Sequence, residues 1–230
     1  MGPDADAVDV AAFLEHPDTE EAHLLAALRK RDLASGAIEA VARSERWGSR
    51  YVIRAAVVNH PKAPRTLALR LVQMLYWKEL MRTTSNFRIS MPVRVAAEKS
   101  LADRLPKLEL GERVTLARAA PPMVIKGLLD DAHPRVIKAL LSNPKLREFE
   151  VLRLVESPGL SSDTLRVIAE SDRWASRHSI KMGLVKNPRT PVHVALRLLA
   201  SLPRRKITQL VSSPDLPKVI IVGARRILAE

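Results

Sequence analysis

The sequence predicts an all-α fold built from stacked helix pairs, and three observations support this prediction. Residues 33–72 align without a gap on residues 160–199, with 16 identities among the 40 aligned positions. Apolar side chains follow a helical spacing, as at Leu67, Leu71 and Leu75. The 230 residues include only 8 Gly, and alternation of apolar and polar residues is scarce, which disfavours an all-β chain.

The internal duplication is densest around a tryptophan. The segment Ser-Glu-Arg-Trp-Gly-Ser-Arg at 44–50 lies on Ser-Asp-Arg-Trp-Ala-Ser-Arg at 171–177. A third copy is indicated by Asn143-Pro144, which lies 44 residues before Asn187-Pro188. A period of about 40–44 residues is typical of two-helix repeats. The Asn before each Pro is expected to take a left-handed conformation, and the Pro to end the helix.

The repeats predict a simple domain organisation. Residues 1–25 form an acidic N-terminal leader that caps the first repeat, in part through a short helix over 8–14. Residues 26–230 form a single domain. Within it, the duplicated halves cover 33–104 and 160–228 around a central unit, 105–159. The stretch 76–90 has no clear sequence counterpart in the second half.

Two segments resemble known helical repeats. Residues 91–101, Met-Pro-Val-Arg-Val-Ala-Ala-Glu-Lys-Ser-Leu, are similar to the second helix of a HEAT repeat, whose pattern is Val-Arg-x-x-Ala-x-x-x-Leu. Residues 187–191, Asn-Pro-Arg-Thr-Pro, resemble the variant leucine-rich repeat. These resemblances imply a right-handed α-solenoid of about five stacked helix pairs. They also imply an extended surface of the kind that solenoids use to bind partners.

Charge is distributed unevenly along the chain. The whole sequence has 38 Lys and Arg against 25 Asp and Glu, a net charge of +13. Residues 1–25 hold seven carboxylates and no Lys or Arg, so the remainder carries +20. A field of this sign attracts acidic partners and polyanions. It also leaves open that the leader lies on the basic surface and competes with the partner.

Signatures of catalysis and of cofactor binding are missing from the sequence. There is no Cys, the six His are scattered, and no glycine-rich phosphate loop or G-x-S-x-G turn occurs. We therefore expect no enzyme activity, cofactor or metal. The adjacent pair Asp130 and Asp131 is expected to end a helix and face water. No apolar run is long enough to span a membrane, so we expect a cytoplasmic protein without a membrane partner. The sequence leaves the oligomeric state open and slightly favours a monomer.

Tryptophans and arginines recur at equivalent positions. Trp47 and Trp174 are expected to pack between repeats, whereas Trp77, outside the matched segment, is a candidate exposed anchor. Three arginines share an L-R-L context: Arg70, Arg153 and Arg197. We expect them to form a structural ladder with carbonyls or carboxylates of the neighbouring repeat. The alternative is a column of guanidiniums that meets a partner's anions.

These features favour a non-enzymatic scaffold that docks an acidic protein segment on a basic face. One alternative is a nucleic-acid-binding protein that contacts the phosphate backbone, since low aromatic content argues against stacking of single strands. A third is an enzyme like the HEAT-like DNA glycosylases, which the chain resembles in architecture only. The predicted partner-binding residues are Arg46, Arg50, Arg54, Trp77, Arg173, Arg177, Lys181, Arg204, Arg205 and Lys206.

Overall fold

The computed structural model describes residues 12–131, 133–211 and 216–229, and it confirms an all-α protein: the described residues form helices and turns, with no strand. Residues 12–15 are helical, whereas 8–11, the start of the predicted capping helix, lie outside the described residues. The further helices are α1 Glu21–Arg29, α2 Ser35–Arg43, α3 Tyr51–Val58, α4 Arg65–Val72, α5 Trp77–Thr84, α6 Met91–Arg104, α7 Leu110–Ala117, α8 Pro122–Asp131, α9 Pro134–Leu140, α10 Glu148–Glu156, α11 Ser162–Ala169, α12 Asp172–Ala175, α13 His178–Lys186, α14 Val192–Ala200, α15 Arg204–Val211 and α16 Lys218–Ala229.

The chain divides into two compact units, Met1–Lys107 (unit 1) and Leu108–Glu230 (unit 2). In unit 1, α1 packs on α3, α3 on α4, and α6 on both α4 and α5. In unit 2, α9 packs on α7 and α11, α13 packs on α10, α11 and α14, and α16 packs on α14 and α15. None of the described helices has the length and apolar character needed to cross a membrane. The single domain predicted over 26–230 stays a prediction.

Local sequence signals explain where several helices begin. The Glu112 carboxylate accepts the N–H of Glu109 at 3.0 Å, which closes a capping box at the start of α7. The Ser161 hydroxyl accepts the N–H of Thr164 at 3.2 Å and caps α11. Pro134 opens α9, where the absence of a proline N–H costs no hydrogen bond.

The helices repeat with the same offset of 127 residues as the sequence does. Helix α1 corresponds to α10, α5 to α15, and the start of α6 to the start of α16. The structural match therefore extends beyond residues 33–72 on both sides. It also gives the stretch 76–90 a helical counterpart, contrary to the sequence expectation. Here the two copies share buried positions and not residue identities. Leu80 and Ile207, for example, occupy equivalent positions, and both are core residues.

Asn187 corrects the expectation of a left-handed residue before each proline. Its φ of −70° and ψ of 119° are extended. Its Oδ1 accepts the N–H of Arg189 at 2.9 Å, and its Nδ2 donates to the carbonyl of Val155 at 2.6 Å. The buried side chain therefore turns the chain after α13 and ties it to α10, and no left-handed backbone is needed.

His60 performs the same task in unit 1, at the position that corresponds to Asn187. Its Nδ1 accepts the N–H of Lys62 at 3.1 Å, and its Nε2 lies 2.9 Å from the carbonyl oxygen of Lys30. The ring is buried. Because Nδ1 is an acceptor, the donor to that carbonyl is Nε2–H, which fixes the tautomer.

Candidate partner-binding groove

Trp47 and Trp174 lie in equivalent, buried surroundings. The indole Nε1–H of Trp47 donates to the carbonyl of Leu14 at 2.9 Å, and that of Trp174 donates to the carbonyl of Leu141 at 2.8 Å. All four residues are buried. The prediction that these tryptophans pack within the fold is confirmed, and a buried indole N–H paired with a carbonyl is not exposed to a partner.

Arg46 holds the chain next to Trp47. Its Nη1 donates to the carbonyl of His16 at 3.1 Å and its Nη2 to the carbonyl of Thr19 at 3.2 Å. Its guanidinium carbon lies 4.6 Å from the centroid of the indole, within the range of a cation–π interaction. The guanidinium, although exposed on one side, is thus held by the fold.

Arg173 repeats this arrangement in unit 2. Its Nη1 donates to the carbonyl of Asn143 at 3.0 Å, and its Nη2 to that of Leu146 at 3.4 Å. It stacks over Trp174 at 4.4 Å. The two acceptor positions are those of the Arg46 site shifted by 127 residues. The duplication therefore includes residues 14–19, which the charge distribution places in the predicted acidic leader.

Arg50 and Arg177 make equivalent ion pairs. Arg50 Nη1 lies 2.9 Å from Glu21 Oε2, and its guanidinium carbon is 4.7 Å from the centroid of the Trp47 ring. Arg177 Nε lies 3.9 Å from Glu148 Oε2. Both arginines are exposed, so each pair adds at most about 1 kcal/mol to stability.

Three further predicted residues are partly buried: Arg54, Trp77 and Lys181. Arg54 Nε donates to the carbonyl of Gly48 at 2.9 Å, and Lys181, at the corresponding position, is half-buried. Trp77 is also half-buried, and Lys78 Nζ lies 5.6 Å from its ring centroid. The role of these residues in binding stays a prediction.

Arg204, Arg205 and Lys206 occupy the first turn of α15. The first two are exposed, and Arg204 Nη2 donates to the carbonyl of Leu228 at 2.6 Å. Positive side chains in the first turn oppose the helix dipole. The corresponding helix of unit 1 begins with Trp77 and has the carboxylate Glu79 in its first turn, which complements the dipole.

The arginine ladder predicted from the L-R-L segments is wrong. Arg70, Arg153 and Arg197 are exposed, and none of their guanidiniums donates a hydrogen bond to a described residue. Their position lies beyond the edge of the buried stripe, so the long side chains reach water. The bonds from guanidinium to carbonyl are instead made by Arg46 and Arg173.

The two acidic residues at the end of α8, Asp130 and Asp131, have different surroundings. Asp130 is exposed, as expected. Asp131 does not face water, because its Oδ1 lies 2.8 Å from Arg113 Nη1 and its side chain is only 16% exposed. This ion pair joins α8 to α7.

An open groove of about 700 Å³ lies on unit 1. Its floor is formed by apolar and small side chains of α1 and α3, among them Leu25, Val52, Ala55 and Ala56. We call it the arginine groove, because four arginines line it: Arg29, Arg31, Arg82 and Arg88. None of the ten residues predicted from the sequence lines it. A clue was present, however, because Arg82 and Arg88 belong to the unmatched stretch 76–90.

Three parallel helices form this groove. The starts of α3 and α5 meet where the Tyr51 hydroxyl accepts the N–H of Tyr76 at 3.1 Å, and the two rings lie 4.6 Å apart. Their ends meet where Asn86 Nδ2 donates to the carbonyl of Asn59 at 3.1 Å. The ion pair between Glu21 and Arg50 likewise joins the starts of α1 and α3. The three helices therefore run side by side in the same direction.

The charge in the groove is concentrated at one end. Arg29 is the last residue of α1, Arg31 follows it, and Arg88 follows the end of α5. All three are exposed, and none forms an ion pair with a described carboxylate. Near the other end, Glu79 binds Arg82 at 2.7 Å. The arginine-rich end thus offers three guanidiniums for an external anion.

The duplication supplies an internal comparison for these arginines. Equivalent positions in unit 2 carry Glu156, Pro158, Gln209 and Asp215. The tryptophan and carbonyl contacts of the core are repeated, whereas the four arginines are not. Unit 2 therefore repeats these helices with other residues at the four positions.

The floor of the groove also differs between the two copies. Ala56, which lines the groove, is replaced by Gly183, which is buried. A Cβ at Gly183 would lie 2.9 Å from Val155 Cγ1 and 3.4 Å from Leu152 Cδ1, so α13 approaches α10 closely. Unit 2 has an open groove of about 720 Å³ elsewhere, between α8 and α10, with Met123 and Phe149 in its wall.

Comparison with known proteins adds no family to this description. No protein-family model, curated protein or solved structure matches the chain.

Proposed function

We propose that the protein is a non-enzymatic scaffold that docks an acidic segment of a partner protein in the arginine groove. The observation that carries this proposal is the loss of all four groove arginines at the equivalent positions of unit 2. Charged side chains that the second copy lacks, gathered on one concave surface, favour a binding site. Three unpaired guanidiniums favour carboxylates as ligands.

The floor of the groove favours a protein segment over a nucleic acid. Val52 is 41% exposed and lies beside Leu25 and two alanines. A peptide can cover such a floor with apolar side chains while its carboxylates reach the arginines. A duplex would offer mainly phosphate and sugar oxygens to this surface. Nucleic-acid binding is the alternative that the experiment below tests.

The finer features of the fold belong to the same proposal. We infer HEAT-like repeats, about five helix pairs in number, from the repeat period and the packing of alternate helices within each unit. The right-handed turn of the solenoid is what the resemblance to such repeats implies. A cytoplasmic location belongs to the same proposal. The enzyme alternative gains no support from Trp47 and Trp174, because both indoles are buried against carbonyls.

A charge swap between the two copies tests the proposal. Arg29→Glu and Glu156→Arg exchange residues at equivalent, exposed positions, so the double variant keeps the net charge of +13. The probe is a fluorescent twelve-residue peptide with four consecutive Asp or Glu and one Leu, measured by anisotropy at about 50 mM salt. We expect at least tenfold weaker binding by the double variant, since one attraction becomes a repulsion.

The control is the same peptide with Lys in place of the acidic residues. A 20-base-pair duplex of arbitrary sequence is measured in parallel. Equal affinity of both protein forms for the acidic peptide would overturn the proposal. So would tight binding of the duplex, steeply dependent on salt and weakened by the same swap, because the groove would then hold phosphates.

A further inference from the structure

We infer that the arginine groove binds a partner segment with two features. One is a cluster of acidic residues, and the other is a single large apolar residue about four residues before or after that cluster. This inference rests on the proposed function and specifies the partner segment. It follows from the placement of charge and apolar surface at different points along three parallel helices.

The arginine-rich end is well defined by contacts. It lies where α1, α3 and α5 end, next to the bond between Asn86 and the carbonyl of Asn59. The C-terminal end of a helix carries about half a negative charge, and this partial charge alone would repel an acidic ligand. Three full positive charges, at Arg29, Arg31 and Arg88, more than offset it.

The opposite end has a different chemistry. Tyr51 and Val52, in the first turn of α3, line it together with Glu79. The Glu79 carboxylate, 22% exposed and bound to Arg82, disfavours a second acidic residue nearby. The half-exposed Val52 and the Tyr51 ring instead offer apolar surface, which a Leu or Phe side chain of the partner would cover.

The length of α3 sets the spacing. From residue 51 to residue 59 the helix rises about 12 Å, at roughly 1.5 Å per residue. An extended peptide covers about 3.3 Å per residue, so about four residues join the two ends of the groove. A helical segment would need about eight residues for the same distance.

Two peptides of identical composition test the pattern. The first carries four acidic residues, a four-residue spacer of Gly and Ser, and Leu. The second distributes the acidic residues evenly around the Leu. Each is titrated, with and without Leu→Ala, into the unmodified protein and into Val52→Ser, which introduces the residue found at the equivalent position of unit 2, Ser179.

We expect the clustered peptide to bind at least fivefold more tightly than the distributed one. The loss of affinity in Val52→Ser should vanish when the peptide carries Ala in place of Leu, because the two changes remove the same contact. Equal binding of both peptides, or a Val52→Ser effect that persists without Leu, would overturn the pattern and leave the proposed function standing. If neither peptide binds, or the charge swap changes nothing, the proposed function itself fails.

Discussion

The indole Nε1 of Trp174 and the carbonyl oxygen of Leu141 lie 2.8 Å apart in the core of unit 2, and they reproduce the pair formed by Trp47 and Leu14 in unit 1. In both cases the bond joins residues 33 positions apart, so it connects the tryptophan to a segment that lies about one repeat earlier in the chain. The two copies have kept this contact while their surfaces diverged.

Replacing Trp47 with Phe should destabilise the protein. The change leaves a buried carbonyl without its donor and removes part of a large buried ring, at a cost of about 2–4 kcal/mol. Urea denaturation followed by circular dichroism measures the free energy of unfolding. Trp174→Phe should show a similar loss, because its partner, Leu141, is equally buried. An unchanged midpoint in either variant would contradict the structural role assigned to these bonds. Tyr76→Phe, at a residue that is 67% exposed, is the control.

His60 should tolerate Asn but not Ala. Asn can accept the N–H of Lys62 and donate to the carbonyl of Leu28, because Asn187 accepts the N–H of Arg189 and donates to the carbonyl of Val155, the equivalent of Leu28. Ala can do neither, and the unpaired groups should cost about 2–4 kcal/mol. Thermal melts of the three forms give the comparison. A ranking with Ala above Asn would show that the side-chain hydrogen bonds are unimportant.

Arg205→Glu should stabilise the protein at low salt. The residue is exposed in the first turn of α15, where a negative charge complements the helix dipole. The expected gain is about 0.3–1 kcal/mol, and it should shrink at high salt. Arg225→Glu, an exposed change of equal charge in the interior of α16, separates this effect from that of net charge. Stabilisation that persists at 1 M salt would rule out the electrostatic cause.

Tyr51 should make stability fall at alkaline pH. Burial raises the pKa of its phenol above the usual 10.0, the Glu79 carboxylate adds to the shift, and the N–H of Tyr76 opposes it. The folded protein therefore holds this proton more tightly than the unfolded chain does. The contribution of Tyr51 is constant below pH 10 and is lost as the pH rises through the raised pKa.

The measurement compares urea midpoints of the natural protein and Tyr51→Phe at pH 9 and pH 11. Other groups titrate in both proteins, so the difference between the two isolates Tyr51. The variant should lose less stability than the natural protein between these values. Identical losses would mean that the phenol titrates normally.

Several features of the fold could be read directly from the chain. Leu67, Leu71 and Leu75 have the spacing of a helix that buries one side, and all three are in the core. The repeated tryptophan segment predicted equivalent packing, because a large side chain that recurs in place must fill equivalent space. What failed was the assignment of arginines: Arg46 and Arg70 lie in similarly regular contexts, and only the first is held by carbonyls.

The sequence by itself determined the helical class, the duplication around the two tryptophans and the excess of positive charge, because burial imposes a period on apolar residues and a repeat preserves that period. The tertiary structure alone decided that residues 76–90 form the counterpart of a helix with almost no identity to it. It also decided that Arg29, Arg31, Arg82 and Arg88 share one groove. Core positions must match in shape and leave a pattern in the sequence, whereas surface charges from separate helices become neighbours only when those helices pack side by side.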